Sequence, residues 1–230
     1  MANYRRKSMR NPRKPKNIKT IQRVAKQVLY QQAEKKKKIN YVDEVNVNTV
    51  SQGQFYDMLY IGQGTDSQTR IGDEIKASGL HIKGVLRNNS TTTTNYVRMV
   101  VFWSKDTTNY TSSSDLFQLN AGTSADFTNA NVAGLNSIYM PLNKAQITPI
   151  YDKVFRLGMT TSDDGGDTIF FNKFLKLHNR RIKYEGSAVG ATNLAPRLHL
   201  GIWASEAPDD TGAGTNVELS CIHTLYFTDV

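Results

Sequence analysis

The chain has 230 residues, 39% of them apolar, with 29 Lys/Arg against 20 Asp/Glu and a single cysteine. That size and apolar content suit one all-β domain with a substantial core plus an appendage; two domains would be crowded. The lone Cys221 excludes an intrachain disulfide, which argues for assembly in a reducing compartment and against a secreted, stapled scaffold.

The positive charge is concentrated at the start. Residues 1–38 hold 14 Lys/Arg and one acid, Glu34, a net of +13; the rest holds 15 basic and 19 acidic residues, a net of −4. Residues 1–16 are Arg, Lys, Asn, Pro and Ser with almost nothing to bury, so this tail is expected to be disordered alone. The basic start leads into more basic residues rather than an apolar core, so no signal peptide is expected, and the longest apolar run, Met99 to Trp103, is too short to span a bilayer. The Asn-x-Ser/Thr matches at Asn88, Asn89 and Asn109 then read as accidental.

From Asn17, a plausible N-cap, the residues Ile18, Ile21, Val24, Val28 and Leu29 recur at helical spacing and predict an amphipathic basic helix over 17–34. Lys35 to Lys38 follow it, where cations suit the helix dipole. One-signed charge coupled to a disordered leader points to nucleic acid, ahead of a membrane surface or a merely solvated face. The candidate contacts are Arg5, Arg6, Lys7, Arg10, Arg13, Lys14, Lys16, Lys19, Arg23, Lys26, Lys35, Lys36, Lys37 and Lys38. They define a nucleic-acid-binding arm over 1–38, followed by a β domain over 39–230.

After Ile39 the composition turns β-rich. Tyr41 to Val50 and Gln54 to Ile61 read as lead-in strands, and Gly62 and Gly64 as a plain turn rather than a phosphate cradle. In the next run Ile75 and Ala77 share one phase while Leu80, Ile82 and Leu86 share the other, which predicts a bulge at Gly79. Residues 87–95 carry no apolar side chain, so the connection is expected to be solvated. Val97, Met99, Val101 and Trp103 then share one face of a central strand, and Tyr96, Arg98, Val100 and Phe102 the other. Lys105 to Ser137 is too long for an ordinary connection, with Ser114 placed to cap one helical turn through Asp115, Leu116, Phe117 and Leu119. Four further runs follow: Ile147–Leu157, Thr168–Tyr184 (one strand or two), Pro196–Ala204 and Val217–Thr228. About eight strands with no long helix beyond position 38 leave a sandwich, a barrel or a jelly roll open.

The order of several features resembles a known family: an R-x-G-D-type turn at Arg70 to Asp73, a strand ending L-H-I-K-G, a polar linker, V-R-M-V-V-F-W-S-K, and a closing L-Y-F-T-D at Leu225 to Asp229. It is similar to the single jelly-roll coat proteins of small icosahedral viruses, those of satellite tobacco necrosis virus and of circular Rep-encoding single-stranded DNA viruses. The resemblance runs from the basic arm to the end, and departs over Asp106 to Pro141, where little matches beyond DLFQLN. It implies an all-β fold, an eight-stranded antiparallel jelly roll of two packed four-stranded sheets, with a partly helical basic arm. It also implies a homo-oligomeric T=1-like shell packaging single-stranded nucleic acid, DNA slightly ahead of RNA, in a virion assembled in the host nucleus or cytoplasm. About 60 such arms would bring roughly 780 positive charges inward, enough to offset a genome on the order of a thousand nucleotides.

Constellations for other chemistry are sparse. His81, His178, His199 and His223 are scattered, with no Ser or Cys partner at catalytic spacing, so no enzyme, substrate site or zinc centre is expected. His223 and Cys221 fall in phase with apolar neighbours and read as core. Asp163, Asp164 and Asp167 surround two glycines and form a candidate Ca²⁺ set, weighed against ordinary Asp-Gly turns; the coats it resembles imply metal at subunit contacts, and no cofactor is required. A second basic cluster, Lys176, Arg180, Arg181 and Lys183, is a candidate inner surface. Strict alternation there puts Lys176, His178 and Arg180 on one side and Arg181 and Lys183 on the other. A cellular nucleic-acid-binding β protein is the competing reading, with Tyr96, Tyr110, Tyr139 and Tyr184 as candidate stacking residues.

Overall fold

The computed structural model describes residues 20–25, 34–47, 53–90, 93–105, 116–120, 123–124, 138–159, 167–185, 192–193, 196–205 and 217–230. The chain divides into two compact units, Met1–Glu34 and Lys35–Val230. In the first, residues 20–25 are helical, and Ile21 and Val24, three apart and so neighbours on the helix surface, are both exposed. The expected tail over 1–16 and most of the expected helix over 17–34 lie outside the described residues.

The second unit is built from β1 (Lys35–Asn46), β2 (Gln54–Asp57), β3 (Glu74–Asn88), β4 (Asn95–Ser104), β5 (Gln118–Asn120), β6 (Thr123–Ser124), β7 (Ile147–Leu157), β8 (Thr168–Glu185), β9 (Thr192–Asn193), β10 (Leu198–Ala204) and β11 (Val217–Asp229). One sheet runs β1-β11-β3-β8, extended by the two-residue β9; the other runs β2-β10-β4-β7; β5 and β6 pair with each other. All pairings within the two main sheets are antiparallel. The first strand lies beside the last, and successive long strands pass from one sheet to the other except between the neighbours β4 and β7. This is the strand order of an eight-stranded jelly roll, which settles the choice that periodicity left open.

The core lies between the sheets. β4 delivers Val97, Met99, Val101 and Trp103 to it, β10 delivers Leu198, Leu200, Ile202 and Ala204, and β11 delivers Val217, Leu219, Cys221, Leu225 and Phe227. These are the expected phases. The bulge on β3 is also where the phase slip puts it: Tyr226 faces Gly79 and Phe227 faces Ala77, leaving Ser78 extra, so that Ile75, Ala77, Leu80, Ile82 and Leu86 all reach one core.

The other face of β4 is covered as well. Val100, Phe102 and Trp203 are covered by Leu116, Phe117, Ile138, Leu142 and Ile147, a second apolar cluster formed largely by the long connection between β4 and β7. Phe117 stands edge-on to Trp203 with ring centroids 4.8 Å apart and bridges to Leu142, and the chain then extends as β5, so no helical turn forms at Leu116 and Phe117. Arg98 is buried under this layer. Its Nε and Nη2 donate to Asp152 Oδ1 and Oδ2 at 2.8 and 2.6 Å, and Nη1 donates to the carbonyls of Ile138 and Met140 at 2.9 and 2.6 Å. β4 is therefore enclosed on both faces.

Two further corrections concern polar residues. The connection from β3 to β4 is anchored by buried side chains: Asn88 Nδ2 donates to the carbonyls of Thr93 and Gly158, and Asn95 Nδ2 donates to Asn88 Oδ1 at 2.9 Å. The β domain also starts at Lys35, not at position 39, because Lys35 to Lys38 pair with Thr228 to Leu225 in β11. Period-2 alternation turns Lys36 inward, where only 2% of it is exposed. Its ammonium meets Asp229 Oδ2 at 3.0 Å and donates to the Thr69 carbonyl at 3.1 Å.

Candidate nucleic-acid interface

Pairing register places the outward side chains of the β1-β11-β3-β8 sheet in rows across the strands. The first row is Lys35, Thr228, Lys76 and Arg181. The second is Lys37, Tyr226, Gly79 and Lys176; the third is Ile39, Thr224, His81 and Phe174. Beyond them come Tyr41, Ile222, Lys83 and Asn172, then Ser220, Val85 and Phe170. One end of the face is thus cationic and the other aromatic and aliphatic.

Most large apolar side chains seek cover, yet Phe170 is 81% exposed, Phe174 53% and Tyr41 78%. Phe174 leans across the bulge onto Gly79, where any Cβ would come within 2.4 Å of its Cζ, and lies 6.0 Å from the Tyr226 ring and 6.3 Å from His81. His81 Nε2 and Asn172 Oδ1 are 2.6 Å apart, which fixes the imidazole beside that ring. A groove of about 870 Å³ runs along this end, with Lys35, Lys37, Phe174, Lys176, His178 and Tyr226 among its walls and, among the described residues, no carboxylate. A second, of about 690 Å³, lies between Tyr41, Phe170 and Ile222.

The rows alter the expected phase of the second basic cluster. His178 and Asn179 take the left-handed conformation, with φ of 56° and 53°, and the register shifts opposite the β3 bulge. Lys176, Arg181 and Lys183 consequently share the outer face. Arg180 turns to the other side and lays its guanidinium 4.4 Å from the centre of the Trp103 ring, where burial lowers its pKa. Arg181 is partly committed, with Nε 3.2 Å from Glu74 Oε1.

The remaining candidates are dispersed. Arg5, Arg6, Lys7, Arg10, Arg13, Lys14, Lys16, Lys19 and Lys26 lie outside the described residues, and Arg23 is exposed on the short helix. Lys35 and Lys37 point outward from β1, whereas Lys36 is the buried partner of Asp229 and Lys38 is half-buried. Asp163 and Asp164 lie outside the described residues, while Asp167 Oδ2 accepts from the Gly158 amide at 2.6 Å. Among the described residues no group of three or more ligating side chains is placed to hold a metal ion, and no helix is long and apolar enough to cross a membrane. Arg70 is also structural: it holds the Gly72 carbonyl and the Asp73 carboxylate and lies over the Tyr184 ring at 4.5 Å. Burial pushes the Cys221 thiol up to about 12 and the His223 imidazole down to about 4.

Of the four tyrosines considered for stacking, Tyr184 is buried and donates to the Leu59 carbonyl, Tyr96 is half-buried, Tyr139 is exposed, and Tyr110 lies outside the described residues. The aromatics that do share a basic face are Phe170, Phe174, Tyr226 and Tyr41. Their trace in the sequence is the run IFFNKFLK, where Phe170, Asn172, Phe174 and Lys176 keep one phase. Both phases of that run contain Phe, so it reads as a buried strand until the neighbours on β3 and β11 are known.

No family model and no curated protein matches the chain. Among solved structures it is similar to one from Desmodium yellow mottle tymovirus, at 10% identity and a TM-score of 0.36, over 86% of this chain and 88% of that one.

Proposed function

We propose that this chain is a coat subunit, its jelly roll tiling a closed shell and its basic N-terminal unit gathering single-stranded nucleic acid inside a virion. The observation that carries the reading is the division of charge. Met1–Glu34 holds ten Lys/Arg and one acid, a net of +9, while Lys35–Val230 holds 19 of each and is neutral. A neutral jelly roll bearing a strongly cationic appendage suits a subunit that must pack against copies of itself while drawing in a polyanion. Phosphate neutralisation by Lys/Arg is independent of sequence and depends on salt, as packaging requires. The motif order that resembles the small-virus coats supports the same reading.

The test is to replace Arg5, Arg6, Arg10, Arg13 and Arg23 with Gln. Binding to unrelated single strands should weaken by a similar factor for each, and the slope of log affinity against log salt should flatten by up to about 3.5, at 0.7 per lost phosphate contact. Unchanged affinity and slope would overturn the arm's role. The exposed aromatic face supports a second reading, a nucleic-acid-binding β protein that works without a shell. Particle formation separates the two.

A further inference from the structure

We infer that the row Lys37, Tyr226, Gly79 and Lys176, with Phe174 laid across it, is a docking site for single-stranded nucleic acid on the folded body, separate from the N-terminal arm. It is independent of whether subunits close into a shell. Four neighbouring strands spaced about 4.8 Å apart set the two lysines at opposite ends of a row about 14 Å wide. Between them lie two aromatic rings 6.0 Å apart, one of them half exposed. A single strand offers the complementary chemistry: flat bases for the rings and phosphates for the flanking ammonium groups.

Three features point to this occupant. The unit from Lys35 onward is neutral as a whole, yet among the described residues the walls of the groove along this row carry lysines and no carboxylate, so the charge is sorted toward an anion. The aromatic surface is presented by construction, because Gly79 sits where a Cβ would collide with the Phe174 ring, and plain strand alternation carries Lys176, two residues on from Phe174, onto the same side. The groove runs across the strands with lysines at its two ends and aromatic rings between them, which fits an extended polymer. A duplex keeps its bases stacked on each other and gains only the charge term, so single strands are favoured.

The experiment uses the full chain, fluorescent oligodeoxythymidylate of about 20 nucleotides, a duplex of equal length, and inorganic polyphosphate as an anion without bases. Phe174→Ala should weaken oligodeoxythymidylate binding by roughly 5- to 160-fold, the range of one lost base stack, while leaving its salt slope and the polyphosphate affinity unchanged. Phe174→Leu keeps an apolar cover on Gly79 and guards against a folding artefact; it should melt like the parent and bind the oligonucleotide like the alanine variant. Lys37→Gln with Lys176→Gln should flatten the slope by about 1.4. The inference is overturned if Phe174→Leu binds the oligonucleotide within twofold of the parent, or if polyphosphate affinity falls in step with it. Arm variants test the other proposal separately, because they should flatten the slope and leave the ratio between parent and Phe174→Leu intact.

Discussion

Arg98→Ala is expected to be among the most destabilising single substitutions in the body, although the residue lies on the strand face opposite the main core. Its side chain is 7% exposed, makes a two-pronged pair with Asp152 and satisfies two carbonyls of the covering connection. It also lies 5.5 and 5.9 Å from the ring centres of Phe117 and Trp203. Truncation would leave Ile138 and Met140 carbonyls without their donor and strip Asp152 of its counterion. Breaking a buried pair in this way typically costs 3–5 kcal/mol; the Asp152 side chain is 36% exposed and can recover water, which sets the expectation near the lower end, about 3 kcal/mol. That is comparable to about 3–5 kcal/mol for Trp103→Ala, which empties the core on the other face of β4. Urea unfolding followed by circular dichroism gives both values. For a body of this size 3 kcal/mol corresponds to a fall in melting temperature of roughly 6–12 °C. In a double-mutant cycle Arg98 and Asp152 should couple, since their effects are not independent. A loss below about 1 kcal/mol for Arg98→Ala, or additive effects of the two truncations, would refute the buried anchor.

The lysine run should separate by position: Lys36→Gln should lower stability by about 2–3 kcal/mol by leaving Asp229 unpaired, whereas Lys37→Gln should leave the melting temperature unchanged. His223 should report on pH. Burial holds its imidazole at about 4 against an ordinary 6.5, so the unfolded chain takes up the proton first; stability is full above pH 6.5 and declines as pH falls toward 4, by at most about 3 kcal/mol. His223→Leu should remove that part of the decline in urea titrations between pH 7 and 4, and an identical pH profile in parent and variant would exclude it. Cys221, whose thiol is held at about 12 by burial, should react with a thiol reagent only as fast as the chain unfolds, measured by mass spectrometry with and without urea.

The strands whose residues alternate cleanly were legible because one face of each meets the intersheet core, as at Val97 to Trp103 and Leu198 to Ala204. Gly79 announced its bulge through a broken phase. Lys35 to Lys38 hid a strand, because four consecutive lysines read as a solvated helix end. Their pairing with Leu225 to Thr228 and the ion pair from Lys36 to Asp229 depend on the far end of the chain. The burial of Arg98 was not legible because the side chains that cover its face, Leu116, Phe117, Ile138 and Leu142, come from a connection with little period of its own. The basic face was half legible: the cations on β8 were visible, but their side of the sheet turns on the left-handed pair His178 and Asn179. The aromatic row exists only across strands.

As a coat subunit, the chain should close with copies of itself into a shell around nucleic acid. Electron microscopy of the purified full chain with single-stranded DNA, combined with sedimentation, tests it most directly. The expected result is closed, uniform particles of about 60 copies, about 1.5 MDa of protein at 25.8 kDa each, that shield their cargo from nuclease. A chain that stays a 25.8 kDa monomer at every salt concentration and leaves bound strands open to nuclease would not be a coat subunit.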